Sequence, residues 1–69
     1  MKDWVCIYTS RKLQDAEMTK GLLSFNEINS VVINKRDSSY MFGYFEVYVN
    51  RDDAVKAKYV LKENNRPLS

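Results

Sequence analysis

Short runs rich in aromatic and β-branched residues alternate along this chain with stretches whose apolar residues recur at helical spacing, and that alternation predicts its elements. Trp4-Val5-Cys6-Ile7-Tyr8-Thr9 reads as a first strand, and the Ser10 hydroxyl after it suits the start of a helix. From Arg11 to about Asn26, helical spacing puts Leu13, Ala16, Thr19 and Leu23 on one face with Leu22 at its margin. Met18 and Phe25 fall further round; they either wrap the edge of a small core or form a partner surface. Gly21, costly inside a helix, is read either as permitting close helix packing or as a neutral substitution.

Beyond the polar turn Asn26 to Asn29, Ser30-Val31-Val32-Ile33-Asn34-Lys35 predicts a second strand. A polar stretch from Arg36 to Ser39 leads to an apolar tip, Tyr40 to Gly43, and then Tyr44 to Val49 alternates. Phe45, Val47 and Val49 point one way and Tyr44, Glu46 and Tyr48 the other. Asn50 caps a second helix with Asp52 and Asp53 in its first turn and Ala54, Ala57, Val60 and Leu61 as its buried stripe.

The order β-α-β-β-α is that of a truncated ferredoxin-like sandwich: an α+β domain over residues 1–63, with an antiparallel three-stranded sheet, two helices on one face and a polar tail over 64–69. The closing strand of that topology is missing, so the outer edge of the first strand is expected to offer unpaired backbone groups to another chain. Edge pairing or a dimer follows as an expectation unless the tail covers the edge, the more so because 69 residues is a small domain with little core of its own.

Composition narrows the chemistry. The chain has no His and one Cys, which leaves no metal-ligand set and removes the commonest general base, so catalysis and cofactors are not expected. Asp52 and Asp53 read as helix-start residues and Cys6, inside an apolar run, as a small hydrophobe. An unpaired cysteine, no membrane-length apolar run and no signal-peptide pattern suggest a cytoplasmic protein. The net charge of +2 is too small to imply a polyanion partner by bulk electrostatics.

Two binding readings remain. If Val5 and Ile7 face the helices, Trp4, Tyr8, Tyr44 and Tyr48 share the open face of the sheet, either as an interface with another subunit or as rings that stack single-stranded RNA. Phe42-Gly43-Tyr44-Phe45-Glu46-Val47-Tyr48 distantly resembles the aromatic strand motif of RNA-recognition domains, but Tyr40-Met41 stands where a basic residue and a glycine are usual, and the low net charge favours the protein interface. The loop from Arg36 to Gly43, longer than a hairpin needs, makes Arg36, Tyr40 and Phe42 candidates for ligand contact, with Tyr40, Met41 and Phe42 folding back on the core as the other reading. Lys35, Arg36 and Arg51 are the positive charges available to an anionic ligand.

Trp4-Val5-Cys6-Ile7-Tyr8-Thr9, then Ala16 with Leu22-Leu23, Ile28, Val47-Tyr48-Val49, Asp53-Ala54 and a closing Val60-Leu61, resembles small bacterial domains described as putative signal-transducing proteins. The resemblance spans about residues 4 to 63 and implies a fold similar to the nitrogen-regulatory PII proteins; with the open strand edge and the aromatic sheet face beside it, the expected role is a regulatory, non-enzymatic binding module that self-associates as a dimer. Those proteins sense nucleotides and metabolites, but no nucleotide-contacting motif matches here residue by residue. Glu27 departs from the family, which commonly has Gly before the Ile, and the departure falls on the exit of the first helix.

Overall fold

The computed structural model describes residues 3–37 and 42–64. Its elements run β1 (Trp4–Ser10), α1 (Leu13–Phe25), β2 (Ser30–Asp37), β3 (Phe42–Asn50), a short 3-10 turn (Arg51–Asp53) and α2 (Ala54–Asn64). β3 lies between β1 and β2 and is antiparallel to both. Both helices contact the sheet and each other, which gives two layers, and β1 forms an open edge of the sheet. The expected order and α+β class are therefore present.

The core sits between the layers. Ala16, Leu23, Ile28, Val47, Val49 and Ala57 are essentially inaccessible and Val60 nearly so. Burying side chains the size of Leu23, Ile28, Val47 and Val49 contributes about 1.5–3 kcal/mol each. Leu13, expected on the buried face, is instead the first residue of α1 and half exposed, because the helix begins two residues later than the pattern suggests. Ser10 does not cap the helix itself. Its Oγ accepts from Lys12 N (3.1 Å) and donates to Asp15 Oδ2 (3.0 Å), bracing the turn that leads from β1 into α1.

α1 ends in a Schellman motif: Ile28 N donates to Leu23 O (2.9 Å) and Glu27 N to Ser24 O (2.9 Å), with Ile28 and Leu23 buried together. Glu27 takes φ 61°, the left-handed conformation that glycine adopts without a Cβ penalty. The chain thus leaves α1 along the path a glycine would take, with a glutamate in the strained position. A Cβ added to Gly21 would meet nothing within 4 Å, so this glycine does not serve close helix packing.

Two strand expectations change. The β2–β3 ladder continues to Arg36↔Gly43 and Asp37↔Phe42, so half of the expected long loop is paired strand, leaving residues 38–41 to join the two. Hairpin pairing extends because the backbone groups of polar Arg36 and Asp37 gain ladder partners whatever their side chains. In β1 the pairing with β3 steps from Cys6↔Tyr48 to Tyr8↔Val47, which makes Ile7 the extra residue of a β-bulge. The second helix follows expectation in part: Asn50 Oδ1 accepts from Asp52 N (3.0 Å) and Ala57 and Val60 are buried, but Asp52 and Asp53 lie in the 3-10 turn ahead of α2, and Ala54 and Leu61 are only partly buried.

Candidate functional site

The sheet face turned away from the helices is built by strand alternation and register. Tyr48 of β3 has Cys6 on one side and Val31 on the other; Glu46 has Thr9 and Ile33; Tyr44 has Lys35; and Trp4 stands across from Asn50. Their neighbours in sequence, Val5, Val32, Phe45, Val47 and Val49, face the core. The result is a sheet surface of aromatic and β-branched side chains around one carboxylate, with Tyr44 42% and Val31 36% exposed and Trp4, Ile33 and Tyr48 half-buried.

Tyr8 is not on this face. The bulge at Ile7 turns the remainder of β1 by one position, so Tyr8 pairs with buried Val47 and packs with Val5 and Ile7 against the core. The condition that Val5 and Ile7 face the helices is met, yet Tyr8 joins them. Trp4, Tyr44 and Tyr48 are brought together on the open sheet as expected.

Glu46 is the polar centre of the surface. Its side chain keeps 15% of its exposure, accepts a hydrogen bond from Tyr48 Oη (3.0 Å) and lies 4.0 Å from Lys35 Nζ. This hydrogen bond is the first cause holding the Tyr48 phenol above its ordinary range, with loss of water and the Glu46 charge adding to it. Cys6 is exposed as a residue, although its Sγ turns back to donate to Tyr8 O (3.5 Å). Its thiol is also raised, by partial dehydration first and by the Glu46 charge further down the order. A raised thiol pKa is the opposite of what a cysteine nucleophile requires.

The remaining candidates lie elsewhere. Met18 and Phe25 are on α1, in the other layer, and are 66% and 86% exposed; neither wraps the core edge. Arg36 and Phe42 sit in the β2–β3 ladder, and their side chains and the whole of Tyr40 lie outside the described residues. Arg51 is held by Asp3, with Nη2 2.9 Å from Asp3 Oδ1 and its N–H donating to Asp3 O (2.7 Å), so it stands at the β1 start, away from Lys35. Sequence reasoning placed Glu46 on the open side without giving it a role; a lone acidic residue between two tyrosines in an alternating strand was the available signal. Among the described residues no three His, Cys, Asp or Glu side chains gather as a metal site, and no helix is long and apolar enough to cross a membrane.

Comparison with known proteins adds a family. The model of a family described as "putative prokaryotic signal transducing protein" matches residues 4–65. No curated protein matches the chain. Among solved structures the chain is similar to the type III secretion system protein EscJ of enteropathogenic E. coli, with 26% identity and a TM-score of 0.68. The match covers 96% of this chain and 40% of that one, so the chain spans less than half the length of the EscJ chain.

Proposed function

Because the chain belongs to this family of prokaryotic proteins assigned to signal transduction, we propose that it is a non-enzymatic binding module that works by docking protein on the open face of its sheet, foremost a second copy of itself. The observation that carries this reading is the surface of Trp4, Val31, Ile33, Tyr44 and Tyr48 around Glu46, on the side of the sheet opposite both helices, over which no element of the described residues packs. Rings with one polar end, which can bury their bodies and keep a hydrogen bond, are the side chains that protein interfaces favour. The domain is also small enough to gain from covering that surface.

The test is light scattering of the purified chain across a dilution series, with Trp4 emission recorded on the same samples. A dimer with blue-shifted Trp4 emission is the expected result. Tyr48→Glu, which puts a second carboxylate beside Glu46, is expected to give a folded monomer with red-shifted emission. A monomer at every concentration, or a dimer that survives Tyr48→Glu, would remove self-association through this face.

A further inference from the structure

The bulge that takes Tyr8 off the open face delivers it to a cleft in the other layer, where α1 and α2 diverge. This cleft, of about 350 Å³, is lined by Tyr8, Asp15, Met18, Leu22, Leu61 and Asn64, with Thr19 at its base. Its wall combines apolar Met18, Leu22 and Leu61 with polar Asp15, Thr19, Asn64 and the Tyr8 hydroxyl, and Thr19 and Asn64 each direct a donor to nearby backbone. Ser10 Oγ donates to Asp15 Oδ2 (3.0 Å), Thr19 Oγ1 to Asp15 O (2.9 Å) and Asn64 Nδ2 to Val60 O (2.9 Å). What Asp15 and Thr19 present to a ligand is oxygen lone pairs, one set of them on a carboxylate. A neutral or anionic ligand would meet that carboxylate at a cost of desolvation or repulsion, whereas an ammonium group both donates hydrogen bonds and carries the complementary charge. The Tyr8 ring adds cation–π attraction where the ammonium meets its face.

We propose that the cleft between α1 and α2 is a binding site for a small primary ammonium compound with an apolar body, the ammonium held at Asp15 and the body laid against Met18, Leu22 and Leu61. Size sets the scale: at roughly 30 Å³ for each water-sized group, the cleft holds about ten such groups. That fits a short alkyl- or arylalkylamine. The cleft lies across the sheet from the docking face, so this inference stands without the dimer.

The experiment is a nuclear magnetic resonance titration of the whole chain with hexylammonium, hexanol and hexanoate, which share an apolar body and differ in the head group. Hexylammonium is expected to shift resonances of Tyr8, Leu22 and Leu61 saturably and to bind at least ten-fold more tightly than hexanol, with hexanoate weaker still. Asp15→Asn keeps an oxygen to accept from Ser10 and is expected to reduce hexylammonium to the affinity of hexanol. Met18→Lys, a change at an exposed lining position, places a competing cation in the cleft and is expected to do the same while leaving the folded spectrum intact. The proposal is overturned if hexylammonium produces no saturable shift at these residues, if it binds no better than hexanol, or if the preference survives Asp15→Asn.

Discussion

Replacing Gly21 by Ala and Glu27 by Gly are opposite changes that should act in the same direction. Gly21 lies inside α1 with open space where a Cβ would be, so Gly21→Ala removes unfolded-state freedom at no steric cost and should stabilise the domain by about 1 kcal/mol. Glu27 sits at φ 61°, and Glu27→Gly relieves a left-handed strain of about 1–2 kcal/mol while adding unfolded-state entropy, for a net gain of up to about 1 kcal/mol. Urea unfolding of the two variants checks both, and a loss of stability in either would show that the local conformation is misread. At this scale the sequence was informative where residue chemistry and backbone agree. Glu27 could be flagged only against its family, because nothing in a glutamate announces a left-handed backbone. The titration of the open face is a second residue-level matter. The Tyr48 phenol is raised above its unfolded value, so the stabilisation it contributes is complete below the ordinary phenol range and is lost as pH climbs through the raised value. Followed by ultraviolet absorbance, Tyr48 should ionise later than a free tyrosine. Glu46→Gln should bring it back toward the ordinary range, since the carboxylate is the first cause of the shift. The same variant should speed alkylation of Cys6 only modestly, because dehydration, the larger cause there, remains.

Among the elements, β1 separates what pattern can and cannot convey. Its existence and length follow from the run Trp4 to Thr9, and the alternation of β3 correctly divides Phe45, Val47 and Val49 from Tyr44, Glu46 and Tyr48. The bulge at Ile7 leaves no such trace. Strict alternation within β1 puts Tyr8 beside Trp4, and only pairing with a strand nearly forty residues away reveals the slipped position. The cleft was illegible for the same reason, since it joins β1, one side of α1 from Asp15 to Leu22 and the end of α2 through that slip. The bulge yields a stability contrast between two tyrosines of similar sequence context. Tyr8→Ala removes a ring packed against the core and should cost about 2 kcal/mol, whereas Tyr44→Ala on the open face should change stability by less than about 0.5 kcal/mol. Denaturant midpoints of the pair decide this, and equal costs would place both rings in the same environment.

Taken whole, the molecule is a slab of 37 × 35 × 15 Å, one sheet under one layer of helices. A slab this thin has two broad faces, and here they differ in character: one aromatic around Glu46 with no helix of the described residues over it, the other helical and opened by a cleft beside Asp15. If the first face pairs with a copy of itself, melting temperature should rise with protein concentration, because association adds to stability by mass action. A melting temperature independent of dilution over a hundred-fold range would argue for a monomer. The irregularity at Ile7 also bears on how such an assembly stops. An unguarded edge strand can recruit copy after copy and grow without end, but β1 presents two short ladders out of step, so a straight incoming strand can match one and not both. A face that meets its own image is satisfied after a single partner. If the proposed self-association holds, the kink in β1 would brake fibre growth and leave pairwise closure as the way to cover the aromatic face.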